Sequence, residues 1–197
     1  MTAGAHLNAV RAAGRQRMLG HDQQNRRKDD FYPTPLRGIT ALLDVERFEG
    51  PIWEPACGDG AISRVLAERG HEVVSSDLID RGHGETGIDF LLEWRPRAPN
   101  IITNPPFKLA VPFARRAIEL TSGKVAMLLK IAFLEGIERS RLFRETPLAR
   151  CWVFSQRLSF QPGGSTEARS LEGGGMMAFG WFVWDHQHSG PPTLGWI

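Results

Sequence analysis

Asn104-Pro105-Pro106-Phe107 is the stretch of this chain whose residue types and order point most directly to chemistry. Each proline pins its own φ and restricts the residue before it, so the backbone after Asn104 is held extended. The Asn104 side-chain carbonyl and the Pro105 backbone carbonyl can then point at one place. Two acceptors converging there hold an exocyclic or amide NH2 group by both of its protons. Phe107 adds a flat apolar face for the planar group that carries the amine. A rigid turn ending in a core phenylalanine is the plain structural alternative for these four residues. It leaves unexplained two features that precede them. In Glu54-Pro55-Ala56-Cys57-Gly58-Asp59-Gly60 the glycines let backbone approach a ligand closely. Asp77 comes next, at a distance that suits an acceptor for a ribose diol. Taken singly, a glycine turn after a strand occurs in many folds, and Asp77 reads as a solvated strand-end acid.

Such residues need elements to hold them, and the apolar pattern supplies these. Leu36, Ile39 and Leu43 predict a helix over 35–48, and PIWEPA a buried strand over 51–56. Ile62, Val65 and Leu66 predict a helix over 61–69 that Gly70 stops, and after it the strand HEVVSSD at 71–77. A short helix over 89–94 precedes the strand NIITN at 100–104, and Leu109, Phe113, Ala117 and Leu120 mark one face of a helix over 108–121. KVAMLLK at 124–130 is an all-apolar strand interior of the kind buried on both faces. An arginine-rich helix over 134–146 and the strands CWVFS at 151–155 and MMAFGWFVW at 176–184 complete the series, with Trp152, Trp181 and Trp184 read as core. Strands alternating with helices predict an α/β doubly wound sheet, where ligands bind beyond the carboxyl ends of the strands. The glycine turn, Asp77, Asp89-Phe90 and Asn104–Phe107 all fall at such ends.

The 197 residues suit one compact domain, and 42% hydrophobic with 23% charged is globular composition. No apolar run approaches a membrane span and the first residues carry no apolar h-region, so a soluble cytoplasmic protein without membrane contact is expected. Two cysteines, Cys57 and Cys151, cannot build a disulfide scaffold or a zinc site. The net charge of +2 neither demands nor excludes a nucleic-acid partner. Its distribution says more: residues 1–28 carry six of the cations and read as a basic N-terminal arm, suited either to phosphates or merely to solubility. The remainder, 29–197, reads as a single domain. The Gly- and Ser-rich stretch 161–175 reads as a long loop, of a size that is usually functional or disordered.

Together these residues resemble the S-adenosylmethionine-dependent amino-methyltransferases, in particular adenine-N6 DNA methyltransferases of the small phage and prophage type, over about residues 29–184. The resemblance implies a Rossmann-like sheet of class I methyltransferase type, mostly parallel with an antiparallel C-terminal strand. It implies that the segment containing Phe31, Tyr32, Thr34 and Pro35 closes over the methionine end of S-adenosyl-L-methionine. Glu54, Pro55, Ala56, Cys57, Gly58 and Gly60 would wrap the cofactor's amino-acid part, Asp77 with Leu78 would take the ribose, and Asp89 with Phe90 would bracket its adenine. Asn104, Pro105, Pro106 and Phe107 would be the catalytic tetrapeptide. Arg157 to Phe160 matches a later family segment that helps hold the flipped base. Lys108 and Lys130 are candidate phosphate or pocket cations, Lys130 equally a strand-end lysine reaching solvent; the stretch 133–144, with Arg139, Arg141 and Arg144, and the 161–175 loop are the two candidates for recognising DNA, or else a solvated helix face and a plain connection.

The chemistry implied is methylation of adenine N6 in DNA, either a duplex with a flipped base or a single strand. It needs no metal and no covalent intermediate. No separate target-recognition domain fits the chain, so specificity is expected to be loose or confined to a short site, and there is room for a homodimer or a specificity partner. Cytosine-C5 chemistry would need a cysteine nucleophile, and neither Cys57 nor Cys151 is suitably placed. Adenine-N6 methylation of RNA is the nearest rival, ahead of methylation of a protein glutamine amide and of a non-catalytic nucleic-acid-binding protein. The lid segment 31–35 favours the DNA group.

Overall fold

The computed structural model describes residues 31–160 and 177–197. The expected basic arm at 1–28 and the 161–175 loop lie outside them. The chain divides into two units at Phe31 and Tyr32, and the second, Tyr32–Ile197, contains the sheet.

Twelve regular elements make up this unit among the described residues: α1 (Leu36–Val45), β1 (Ile52–Glu54), α2 (Ala61–Glu68), β2 (Val73–Asp77), β3 (Glu85–Thr86), β4 (Asn100–Thr103), α3 (Ala110–Leu120), β5 (Lys124–Lys130), α4 (Ile137–Glu145), β6 (Leu148–Val153), β7 (Phe179–Asp185) and β8 (Thr193–Trp196). The strands form one sheet in the order β3-β2-β1-β4-β5-β7-β6-β8. Pairing is parallel throughout except at β7, which runs antiparallel to both β5 and β6. The α/β class with a mostly parallel sheet is therefore as expected, with β7 as the antiparallel strand near the carboxyl end. One strand more, β8, then lies parallel to β6 at the sheet edge.

Alternation along the central strands sets the layers. Val125, Met127 and Leu129 of β5 and Phe182 and Trp184 of β7 face a cluster that takes in Phe113 and Ala117 of α3 and Leu142 of α4. Ala126 and Leu128, with Trp181 and Val183, face the opposite cluster, built on Ile39 and Leu42 of α1 and Ile62 and Leu66 of α2. Helices thus cover both faces, which is why β5 reads as a continuous apolar run rather than an alternating one. Trp181, fully buried, also donates from Nε1 to the Gly38 carbonyl at 2.8 Å, tying β7 to α1. Among the described residues no helix is long and apolar enough to cross a membrane.

Several expected elements are shorter than, or offset from, the sequence pattern. The helix expected over 89–94 is only a 3-10 turn, Phe90–Leu92, because Asp89 caps it and Glu93 is already extended. The 108–121 helix starts with a separate 3-10 turn at Phe107–Leu109, set by the extended Pro106 before it. The arginine-rich helix begins only after Gly136, whose φ of 119° breaks it from the 3-10 turn Ile131–Leu134. The CWVFS strand is displaced toward the amino end, to Leu148–Val153.

At the amino ends of the parallel strands, Glu46 is a buried ionic hub. Its carboxylate accepts from Arg150, from Lys124 Nζ at 3.1 Å and from Trp152 Nε1 at 2.8 Å. Asp185 takes a further bond from Arg150 Nη2 at 3.0 Å. Burial alone would raise the Glu46 pKa, but these hydrogen bonds and the Arg150 charge outweigh it and hold the group below its ordinary value. With its folded pKa depressed, Glu46 contributes stability above the ordinary glutamate range, and this is lost as pH falls through the folded value. Glu46→Gln should cost about 2–3 kcal/mol, toward the low end for a buried pair because Lys124 and Arg150 keep roughly a quarter of their surface in water. Urea denaturation should show that cost at neutral pH and a shallower acid limb for the variant. Parallel acid limbs would contradict it.

Candidate active site

β1 and β4 lie side by side, with β2 on one flank and β5 on the other, so the winding direction of the sheet reverses between them. The crevice beyond the carboxyl ends of such a strand pair is where open α/β sheets take ligands. Glu54 ends β1 and Asn104 comes directly after β4, which places the glycine turn and the tetrapeptide on the two sides of this crevice.

The glycine turn is fastened to β2. Cys57 N donates to the Ser76 carbonyl at 3.0 Å and Gly58 N to Asp77 Oδ2 at 2.8 Å, while Ile79 N reaches Asp77 Oδ1 at 2.9 Å. One carboxylate therefore spans the turn and the loop after β2. Gly58 and Gly60 have φ of 57° and 81°, left-handed values that glycine adopts without cost. At Gly60 a Cβ would also lie 2.5 Å from the ring of His83, so this imidazole packs directly on the turn. His83 is not among the expected site residues; its only signal in the sequence is its position between Gly82 and Gly84.

Glu54 is buried at the end of β1 and hydrogen-bonded by the Ser63 hydroxyl, which in turn meets Ser75 Oγ at 2.6 Å. Burial pushes its pKa well above the ordinary value; the Ser63 bonds oppose that, and the nearby Asp77 and Asp59 charges add to it. The same surroundings act on Cys57, where burial first and the Glu54 and Asp77 charges next push the thiol up to about 12. Its Sγ donates to the His83 carbonyl at 3.3 Å. Cys151, in the core of β6, is pushed by burial to about 11. Neither is a thiolate near neutral pH, so neither is an available nucleophile.

On the other side of the crevice, Asn104 Nδ2 donates to the Tyr32 backbone carbonyl at 3.0 Å and to Thr34 Oγ1 at 3.1 Å. A carbonyl can only accept, which fixes the amide orientation. Both amide protons are taken, and Oδ1 is left as the group directed elsewhere. The segment at Tyr32–Thr34 and the Asn104 stretch, seventy residues apart in sequence, are thus tied together. Thr103, immediately before Asn104, is fully buried with a hydroxyl that has no partner among the described residues.

Aromatic rings cluster around Tyr32 and Phe107, near Asn104. Phe107 lies 6.2 Å from Tyr32 at an interplanar angle of 22°, and 5.7 Å from Phe179. Phe160 packs on Phe179 at 4.7 Å and edge-on to Tyr32 at 6.2 Å. Phe107 and Phe160 are thus bridged by Phe179, which the sequence pattern assigns only to a strand. Its register opposite Lys130, at the open end of β5, is what brings it here. Lys130 Nζ sits 4.9 Å from the Phe107 centroid.

The remaining candidates scatter. Pro55 is buried, Ala56 half-buried and Leu78 exposed; Pro35 precedes α1, and Pro106 is half-buried between Pro105 and Phe107. Asp89 Oδ1 accepts from Leu91 N at 3.0 Å. Phe90 needs correcting: its ring is 2% exposed, packed on Trp53 at 5.1 Å and Phe113 at 4.9 Å, so it is core and cannot offer a face to a ligand. Lys108 and Arg157 are exposed. Arg139 bends back onto its own loop, with its guanidinium 5.6 Å from the Phe133 ring, and Arg141 and Arg144 line a separate open groove of about 510 Å³ along α4. Phe31 belongs to the other unit, and the site begins at Tyr32.

No family model and no curated protein sequence matches this chain. Solved structures do. A protein assigned as the modification subunit of a type I restriction enzyme from Vibrio vulnificus YJ016 superposes with a TM-score of 0.57 at 14% identity, covering 100% of this chain and 53% of that one. The chain therefore spans about half the length of that subunit. A protein assigned as an RNA methyltransferase from Pyrococcus horikoshii gives 0.55 at 15% identity over 87% of this chain and 98% of its own. Magnesium protoporphyrin IX methyltransferase from Synechocystis PCC 6803, solved with bound SAM, gives 0.50 at 12% identity over 76% of each. At these identities the likeness shows a shared fold.

The raised pKa of Glu54 gives a test of the site's electrostatics. Its contribution to stability is fully present below the ordinary glutamate range and is lost as pH rises through the folded value. As pH rises from the ordinary glutamate range through the raised folded value, the wild-type urea midpoint should therefore fall relative to that of Glu54→Gln, which cannot ionise. Midpoints that stay a fixed distance apart would contradict this.

Proposed function

We propose that this protein transfers the methyl group of S-adenosylmethionine to the N6 amino group of adenine in DNA, with loose or short-site sequence preference. The observation that carries the reading is the fixed Asn104 amide. With both of its protons held by Tyr32 and Thr34, Oδ1 is the group left to receive a donor, and the Pro105 carbonyl would be the second acceptor. An amine with two protons on a planar ring, stacked against Phe107, is the ligand such a pair of acceptors suits.

The residues across the crevice fit the cofactor. Left-handed glycines open the turn, and the half-buried Asp77 carboxylate keeps acceptor capacity for ribose hydroxyls beyond its two backbone bonds. Glu54 would hold the ammonium of the amino-acid part, and Asp89 would accept from the adenine amine. Phe90 would support that position from the core rather than by stacking. When bound, the cofactor supplies a methyl group activated by its sulfonium.

The protein's part is alignment and hydrogen bonding. Adenine N6 is a poor nucleophile because its lone pair is delocalised into the ring. Acceptance of both N6 protons by Asn104 Oδ1 and the Pro105 carbonyl favours the tetrahedral geometry in which that pair is available. Transfer would join the amine nitrogen, held by Asn104 and Pro105, to the methyl carbon with loss of the carbon–sulfur bond, the electron pair remaining on sulfur and the spare amine proton passing to water. A base in a duplex reaches this pocket only by leaving the stack, and Phe107, Phe179 and Phe160 provide an apolar wall for it. The restriction-modification subunit among the structural neighbours is consistent with a DNA context, as a matter of fold likeness.

Asn104→Ala should lower kcat for DNA adenine methylation by about 10²–10³-fold while cofactor binding stays within a few-fold of wild type. Thr34→Val removes one of the two anchors of the amide and should cost between about tenfold and 10²-fold in kcat, through misplacement of Oδ1. Tritium transfer to oligonucleotides and cofactor titration read the two effects separately. An Asn104→Ala protein that methylates at the wild-type rate would overturn the reading.

A further inference from the structure

β5 carries a lysine at each end, and the two are treated differently. Lys124, at its amino end, is held by Glu46 and lies 3.9 Å from Asp185. Lys130, at its carboxyl end, is half-buried and has neither a hydrogen bond nor an ion pair among the described residues; its contact is the Phe107 ring. Other half-buried cations of this unit, Arg97 and Arg150, also have carboxylate partners. An ammonium sheltered among Phe107 and Phe179 without a counter-charge is a place kept for an anion or an acceptor that arrives with the ligand.

We propose that Lys130 binds a backbone phosphate flanking the nucleotide whose base stacks on Phe107, and does not read the base itself. This rests on the adenine-methylation reading. Charge decides between phosphate and base. As the amine nitrogen takes the methyl group it gains positive charge, and an uncompensated ammonium directed at the same ring would oppose that step. Neutralised by a phosphate, the same ammonium holds the nucleotide in place without raising the barrier. The four-carbon stem packs on the aromatic wall and leaves the head free to move by several ångström, as a lysine that tracks a backbone requires.

The test uses single-stranded oligonucleotides with one adenine in a thymine context, bearing either native linkages or a neutral methylphosphonate on the 5′ or 3′ side of that adenine. For the wild type, one of the two neutral linkages should raise KM about tenfold with a much smaller change in kcat. Lys130→Met should raise KM on the native oligonucleotide by a similar factor, lose little more on that methylphosphonate, and lower the slope of log affinity against log salt by about one. Lys130→Arg, which keeps the charge, should recover most of the loss; a folding defect in the methionine variant would show instead as a lowered urea midpoint. Full additivity of the variant and the neutral linkage, or a fall in kcat with KM and salt slope unchanged, would overturn the phosphate assignment while leaving adenine methylation intact. Absence of adenine methylation by the wild type would instead remove the reading beneath it, and the assignment with it.

Discussion

The two hydrogen bonds from the Asn104 amide to Tyr32 O and Thr34 Oγ1 are the constraint on which the site depends. An asparagine after a strand is ordinarily free to turn its amide either way. Here the carbonyl of Tyr32 and the hydroxyl of Thr34 take its protons, and the side-chain oxygen is left with one direction to face. Pro105 and Pro106 stiffen the backbone just after it. A segment at the start of the second unit thereby sets the geometry of a residue at the centre of the sheet. A pre-set acceptor needs no rearrangement when a donor arrives, and this is where a hydrogen-bonding site gains most.

The sheet supports that arrangement by separating two kinds of polar chemistry. At the amino ends of the strands, Glu46, Arg150, Lys124 and Asp185 satisfy one another and lock α1 against β5, β6 and β7. At the carboxyl ends, charges are left only partly answered: Glu54 is buried with hydroxyls for company, Asp77 binds backbone amides, and Lys130 rests on an aromatic ring. The first group holds the fold together. The second is of the kind that a zwitterionic, hydroxyl-bearing ligand and a polyanion can complete.

Much of this is legible in the sequence, for identifiable reasons. β5 is readable to the residue because an uninterrupted apolar run between two lysines suits a strand buried on both faces and little else, and Trp181 and Trp184 are core as their strand implies. β3 and β8 are not readable: Glu85-Thr86 is two exposed residues without an apolar face, and Thr193–Trp196 comes after two prolines and is largely exposed. Motif order places the glycine turn, Asp77 and the tetrapeptide at strand ends, but it carries no information on which backbone amides Asp77 binds. Phe90 cannot be told from a ligand-facing ring by type alone; burial against Trp53 decides it. Phe179 and His83 escape a reading of the sequence because their roles come from pairing register and loop path, which only the folded chain displays.

The most direct measurement is to incubate the purified protein with tritiated S-adenosylmethionine and unmethylated DNA, digest to nucleosides and locate the label, with bulk RNA in parallel. Adenine methylation in DNA predicts label in N6-methyldeoxyadenosine, reduced together with the Asn104→Ala exchange. Label confined to RNA, to another base or to protein would contradict it, as would no transfer at all by a protein that binds the cofactor.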